Sequence, residues 1–291
     1  MRPAAYAAQP SKAPTIEGRR RNLRPLGITQ RMIEAVAALP DTSLAYWDTG
    51  GPGEPVLLLH PGTGSLEIWE HQRPALAAAG YRAIGYSRRG HRGSDPGSAE
   101  APGTGSGDLA ALLDHLGIAR CHLVGAAAGG IVALDFALSR ADRLISLTLS
   151  CSILGIADPD YAAVSEGLRP PGFAAMPPEF RELGPSYRAA NPAGVASWLE
   201  LEHRAIPGRQ LRQPTANRIT FAALRALDLP CLLMTGDADL WIPPSLLRQV
   251  ATHVPRAETR VIAECGHSAH WEQPAAFNAA LLDFLGRYPA A

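Results

Sequence analysis

The stretch Cys121-His-Leu-Val-Gly-Ala-Ala-Ala-Gly-Gly130 decides the fold of this chain. Its first residues end an apolar run typical of a buried strand, and residues 131–138 behind it predict a buried helix. The glycines permit a sharp turn between the two, because only a hydrogen atom fits where backbone crowds against backbone. Strand, tight turn and helix form the layout of a nucleophile elbow, Gly-x-Ser-x-Gly. Alanine occupies the nucleophile position here, at Ala127.

The composition is that of a globular protein with one large domain, or one domain that carries an insertion. The chain has 291 residues, of which 46% are hydrophobic and 19% are charged. Lys+Arg and Asp+Glu both number 27, so the net charge is zero and neither nucleic acid nor an anionic membrane surface is indicated as a partner. No run of about 20 apolar residues predicts a membrane span.

The four cysteines are scattered along the chain, three of them in or beside apolar runs of strand length: Cys121, Cys151, Cys231 and Cys265. This distribution favours buried free thiols over a disulfide framework, and no pair has the spacing of a metal site. We therefore expect a cytoplasmic protein without a metal. The sequence also has no dinucleotide fingerprint, so no cofactor is expected, and it carries no signal for an oligomeric state.

Apolar runs of strand length alternate with helical patterns along most of the chain: residues 55–59, 81–86, 144–149, 229–234 and 259–263 read as strands. Continuous apolar strands are covered on both faces. The alternation predicts an α/β fold, with a mostly parallel, doubly wound sheet and helices on both of its faces.

Four segments divide the chain. Residues 1–40 are interpreted as an N-terminal extension, and residues 41–154 as the first part of the core, which opens with an edge strand at 43–47. Between 155 and 220 prolines and glycines are dense and no strand is evident, so we predict an inserted helical cap there. Residues 221–291 complete the core.

Five motifs then occur in order at the ends of predicted strands: His60-Pro-Gly-Thr-Gly64, Arg88-Arg-Gly-His-Arg-Gly-Ser-Asp95, Gly125-x-x-x-Gly129, Gly236-Asp-Ala-Asp239 and Gly266-His267. With these motifs, residues 43–286 resemble an α/β-hydrolase. The nearest resemblance within that superfamily is to enol-lactone hydrolases, meta-cleavage-product hydrolases and small esterases. It implies a catalytic triad and an oxyanion hole beneath a cap domain.

The triad of this family runs nucleophile, acid and base along the chain. The resemblance places these roles at Ala127, Asp239 and His267, and Asp237 is the alternative acid. His267 would act as the general base, while Asp239 would fix its tautomer and stabilise the imidazolium. The carboxyl ends of parallel strands would bring the three positions together.

An oxyanion hole needs two backbone N–H groups aimed at the developing negative charge. The resemblance implies Ala128 as one donor and Gly62 as the other, with Thr63 as the alternative to Gly62. Thr63, Trp241 and Trp198 are candidates for substrate binding. For the two tryptophans, packing in the core is an equal alternative.

Alanine at position 127 leaves two explanations open, because a methyl group cannot attack a carbonyl and no acyl-enzyme can form there. The first is that a natural serine has been replaced by alanine. The second is that the natural protein has alanine and uses the pair His267 and Asp239 as a general base.

Two classes of function are expected for a small-molecule ligand. The first is an enzyme that hydrolyses an ester, a lactone or a carbon–carbon bond, or a cofactor-free lyase, oxygenase or proton-transfer enzyme on the same fold. The second is a non-catalytic protein that binds its ligand under the cap. Retention of Asp239 and His267 favours the enzyme, because a pure receptor has no need of a charged pair in its pocket.

Overall fold

The computed structural model describes residues 33–208 and 211–290. Within this part of the chain, eight strands form one sheet in the spatial order β1-β2-β4-β3-β5-β6-β7-β8. The strands are β1 (Ile33–Ala38), β2 (Ser43–Asp48), β3 (Pro55–Leu59), β4 (Arg82–Tyr86), β5 (Cys121–Ala126), β6 (Leu144–Ser150), β7 (Cys231–Gly236) and β8 (Ala257–Ile262). The pairs β1–β2 and β2–β4 are antiparallel, and all other neighbours are parallel. The predicted doubly wound α/β fold is confirmed.

Helices follow most of the strands: α1 (Gln72–Ala78), α2 (Gly105–His115), α3 (Ala128–Arg140), α4 (Pro159–Gly167), α5 (Pro178–Glu182), α6 (Pro185–Ala190), α7 (Pro192–Ala205), α8 (Phe221–Arg225), α9 (Pro244–Ala251), α10 (Ala269–Glu272) and α11 (Pro274–Arg287). They cover both faces of the sheet. In β3, Leu57 and Leu59 join one hydrophobic core, whereas Val56 and Leu58 join the other. Alternate residues of a strand point to opposite faces, which explains why this strand is apolar throughout.

Strand β1 corrects the predicted start of the domain. The sequence predicts that residues 33–38 belong to an N-terminal extension, but they pair with β2 along its whole length. Strand β2 is therefore an inner strand, bonded to β1 and β4, and the prediction of an edge strand at 43–47 was wrong. The first 32 residues of the predicted extension lie outside the described residues.

The predicted cap, residues 155–220, contains helices α4 to α7, and its described residues contain no strand. Each of these four helices begins with a proline, at Pro159, Pro178, Pro185 and Pro192. Proline suits the first helical position because its fixed φ is already helical and its missing N–H would have no partner there. Four of the prolines that mark this segment in the sequence are thus helix starts.

Candidate active site

The turn between β5 and α3 holds Ala127 in a conformation that is rare for a residue with a side chain, with φ 47° and ψ −114°. Such backbone strain persists only where the surroundings fix it, and it is most frequent at functional sites. Two hydrogen bonds fix this turn: Ala127 N–H donates to Ser150 O at 2.9 Å, and Ser152 Oγ donates to Ala127 O at 2.7 Å. The elbow geometry is therefore retained although the hydroxyl is absent.

The glycines of the elbow are required by close backbone contacts. A Cβ atom on Gly125 would lie 2.6 Å from Gly129 O, and one on Gly129 would lie 2.3 Å from Leu59 O. Both distances are far below van der Waals contact, so neither position has room for a side chain. This packing presses the start of α3 against the carboxyl end of β3.

The loops after β7 and β8 bring the predicted acid and base together. His267 Nδ1 lies 2.9 Å from both Oδ1 and Oδ2 of Asp239. Asp239 also accepts hydrogen bonds from Trp241 N–H and from Thr235 Oγ1. Asp237 instead accepts from the backbone N–H groups of the loop after β8, so the geometry favours Asp239 as the partner of His267.

This pairing sets the protonation of the imidazole. A carboxylate at Nδ1 keeps the proton on that nitrogen and leaves Nε2 to accept one. Burial lowers the pKa of the His267 ring, but the charge and hydrogen bond of Asp239 raise it, and the net shift is upward. His267 is thus a stronger base than an exposed histidine, and it is neutral only above a raised pKa.

A cavity of about 300 Å³ lies above the elbow. Its lining contains Gly62, Thr63, Ala127, Ala128, Ile131, Ile153, Arg181, Glu182, Trp241 and His267. The structure thus brings six of the eight predicted site residues to one cavity, and Asp239 lies behind His267, 2% exposed. Trp198 is the exception.

Trp198 packs in the core and is absent from the cavity lining, which corrects its predicted place in the substrate pocket. It is 1% exposed on α7 and belongs to the same hydrophobic core as Leu201 and Trp271. Of the two readings given to this tryptophan by the sequence, the structure supports packing in the core.

The predicted oxyanion donors, Gly62 and Ala128, lie close together in the lining of the cavity. A Cβ atom on Gly62 would lie 3.6 Å from the Cβ of Ala128, so the two loops are in near contact. Buried His60 braces the first loop, because its Nδ1 donates to Pro61 O at 2.7 Å and its Nε2 accepts from Arg88 N–H at 3.0 Å. Burial, aided by the nearby His91, lowers the pKa of His60 well below its ordinary value, so its ring is neutral.

Two charged residues of the cavity escaped the sequence analysis, namely Arg181 and Glu182 at the end of α5. The backbone places them: His267 N–H donates to Glu182 O at 2.9 Å. No local pattern in the sequence signals this long-range bond.

A second set of hydrogen bonds joins the same helical segment to the loop that carries His267. The buried Glu272 carboxylate accepts from Gly184 N–H at 2.7 Å, from Gly266 N–H at 3.0 Å and from Ser268 N–H at 3.0 Å. A carboxylate that receives several backbone N–H bonds fixes those segments relative to one another. The segment after α5 and the His267 loop are therefore held as one unit.

A larger cavity of about 760 Å³ adjoins the first, and the two share Ala128 and Ile131 in their linings. Arg88 lines it, and this side chain forms no ion pair among the described residues. Burial lowers the pKa of Arg88 to about 10. Neighbouring Arg89 instead forms a buried, two-pronged ion pair with Asp108.

Within residues 33–208 and 211–290, no group of three His, Cys, Asp or Glu side chains is arranged to hold a metal ion. In the same residues, every helix is too short or too polar to cross a bilayer. The four cysteines are all buried and unpaired.

Comparisons with known proteins agree with this geometry. A family model described as the alpha/beta hydrolase family matches residues 56–280. A 2-hydroxy-6-oxononadienedioate/2-hydroxy-6-oxononatrienedioate hydrolase of Paraburkholderia phymatum is 30% identical over 280 residues, which cover 89% of this chain and 96% of the relative.

Two solved structures are similar over most of the chain. A thermophilic esterase from Thermogutta terrifontis has a TM-score of 0.71 at 28% identity, over 89% of this chain and 100% of the esterase. The enol-lactonase from Burkholderia xenovorans LB400 has a TM-score of 0.68 at 24% identity, over 87% of this chain and 100% of the enol-lactonase, and supports the fold alone. With the sheet order, the elbow and the family match in agreement, this chain belongs to the alpha/beta hydrolase family.

Proposed function

We propose that this chain is an enzyme that hydrolyses an ester, a lactone or a carbon–carbon bond in a small carbonyl substrate. The observation that carries the proposal is the contact between His267 Nδ1 and the Asp239 carboxylate, at 2.9 Å, beside a cavity that also contains position 127. The family membership and the hydrolase relative support the same reaction class.

The absence of a hydroxyl at position 127 determines the mechanism that we propose. His267 Nε2 takes a proton from a water molecule, and the hydroxide oxygen adds to the substrate carbonyl without an acyl-enzyme. The backbone N–H groups of Gly62 and Ala128 stabilise the resulting oxyanion. Asp239 holds the imidazole and stabilises its charged form. A native alanine and a replaced serine both leave this machinery in place.

The surrounding residues have proposed roles in binding. Thr63 and Trp241 contact the substrate, since both line the cavity, and the buried Thr63 Oγ1 has no hydrogen-bond partner among the described residues. The helical segment 155–220 acts as the cap, because its residues Arg181 and Glu182 line the same cavity as Ala127.

His267→Gln tests the proposal. We expect the chain to hydrolyse an activated lactone such as dihydrocoumarin slowly but above the buffer rate, and short aryl esters little. His267→Gln should reduce the lactone rate to that of buffer, because glutamine cannot accept the proton of water. His203→Gln, at an exposed position on α7, is the matched control and should keep the rate. Equal rates for the wild-type chain and His267→Gln would contradict the proposal.

Asp239→Asn should reduce the same lactone rate by about 10³-fold or more, because an amide neither fixes the productive tautomer nor stabilises the imidazolium. Loss of the carboxylate charge should also lower the pKa of the His267 ring, which the wild-type pair raises. Turnover together with NMR titration of the ring protons measures both effects. Asp237→Asn serves as the comparison, since the hydrogen bonds to the Asp237 carboxylate in the described structure come from backbone N–H groups.

Ala127 also favours a second candidate, a cofactor-free proton-transfer or lyase reaction on a ketone, since these reactions need a base and no nucleophile. Exchange of the α-protons of simple ketones with deuterium oxide, followed by NMR, distinguishes the two. Exchange that depends on His267 without lactone turnover would support the second candidate.

A further inference from the structure

We propose that Glu182 is a second catalytic residue of this site, a general acid that shares one proton with His267 and donates it to the leaving group of the substrate. This inference rests on the proposed function. The departing alkoxide or enolate needs a proton, and Glu182 is its source in this proposal. With Asp239 and His267 alone, the imidazole that took the proton from water would also have to donate it to the leaving group.

The backbone places Glu182 beside the base. His267 N–H donates to Glu182 O at 2.9 Å, so the two residues are direct neighbours in space although they are 85 positions apart (267 − 182). Both residues line the cavity of about 300 Å³ that contains Ala127. Leu183, which is 2% exposed, anchors the chain immediately after Glu182 in the hydrophobic core. The carboxyl group is therefore fixed at the reaction cavity.

The carboxyl group is not held in an ion pair, although the Trp241 indole lies beside it. Glu182 is 6% exposed, yet its carboxylate forms no ion pair among the described residues. Buried carboxylates are ordinarily paired, because an unpaired buried charge is costly. Glu272 shows the contrast: it is buried to a similar degree and receives three backbone N–H groups.

Charged and polar groups face Glu182 from each element around it. They are His267 and Asp239 from the loops after β8 and β7, Arg181 from α5, and the Trp241 indole. Burial raises the pKa of the Glu182 carboxyl, against the charge of His267, which lowers it. A carboxyl group with a raised pKa holds its proton closer to neutrality, as a general acid must.

The reaction then balances as follows. His267 Nε2 takes a proton from water, the water oxygen forms a bond to the carbonyl carbon, and the carbonyl electron pair moves to the oxyanion. Collapse of this intermediate breaks the bond to the leaving group, which takes the bonding electrons and a proton from Glu182. Transfer of the proton from His267 to Glu182, directly or through water, restores the starting state. The net reaction consumes one water molecule.

The number of protons that His267 and Glu182 hold together can be tested by the pH dependence of the lactone rate. The active form has His267 neutral and Glu182 protonated, so the pair holds one proton and the lactone rate should follow a bell-shaped pH profile. Glu182→Gln should lower the maximal rate for dihydrocoumarin by about 10²-fold and remove one limb, so that the rate rises with pH to a plateau. Glu179→Gln, the same change on the same helix outside the cavity lining, should keep the bell and the rate.

A measurement without substrate separates this inference from the proposed function. NMR titration of the His267 ring should show two coupled steps in the wild-type chain and one step in Glu182→Gln. If the chain hydrolyses no lactone, the proposed function fails and this titration alone decides whether the pair shares a proton. One titration step in the wild-type chain, or a Glu182→Gln profile with both limbs and the rate of Glu179→Gln, would overturn the role of Glu182.

Discussion

Ala127→Ser is expected to give the chain aryl-ester turnover on the order of 10³-fold above that of the unmodified protein. The elbow already has its strained geometry, with φ 47° at position 127, and His267 with its carboxylate partner lies at the same cavity. A hydroxyl added there would supply a nucleophile to the proposed base and the two proposed oxyanion donors. Hydrolysis of p-nitrophenyl acetate, followed by its burst of p-nitrophenol, measures the gain.

The reaction intermediate provides the decisive readout for this variant. Mass spectrometry of the quenched reaction should show one acetyl group on the peptide that contains position 127. Adding His267→Ala to the variant should abolish both the burst and the acetyl group, because the hydroxyl is then not activated. Ala162→Ser, at an exposed position on α4, controls for a new hydroxyl elsewhere. Failure of Ala127→Ser to gain turnover would count against a latent hydrolase site.

Gly129→Ala is expected to destabilise the fold by about 3 kcal/mol or more. Position 129 lies in the first turn of α3, where alanine would ordinarily be the better helix former. The added Cβ atom would however lie 2.3 Å from Leu59 O and 2.7 Å from His60 O. These are backbone atoms at the end of a central strand, so relief requires that the strand or the helix move.

Urea unfolding measures this loss, and Gly167→Ala is the matched control. A Cβ atom at Gly167, the last residue of α4, would have no atom within 4 Å, so this variant should keep the stability of the parent chain within about 0.5 kcal/mol. Equal free energies of unfolding for the two variants would contradict this prediction, because they would show that the elbow backbone moves to accommodate the added Cβ atom at little cost.

The parts of the molecule that the sequence predicts well are those with a local physical signal. A continuous apolar run such as Pro55–Leu59 coincides with β3, because a strand covered on both faces has no polar position. The meeting of Asp239 and His267 was predictable once their loops were placed at the carboxyl ends of parallel strands, since these ends share one edge of the sheet. Ala127 was found by the turn that surrounds it.

The parts that were missed depend on distant contacts or weak patterns. Strand β1 has small residues and an exposed Val36, so its pattern is weak and its partner strand defines it. A backbone hydrogen bond from His267 N–H to Glu182 O holds Glu182 at the cavity, and no residue spacing in the sequence predicts this bond. Trp198 packs inward because its neighbours on α7 and α10 bury it, whereas an aromatic residue in a proline-rich segment is equally compatible with a pocket.

The ties between the segment after α5 and the loop after β8 bear on the route by which a ligand enters. Lifting this segment as a hinged lid would break the bonds from Gly184 N–H to Glu272 and from His267 N–H to Glu182 O. Such a motion would disturb the imidazole at every turnover. We therefore expect ligands to enter from the side, through the cavity of about 760 Å³, which adjoins the smaller cavity at Ala128 and Ile131. The segment after α5 would then stay in place during turnover.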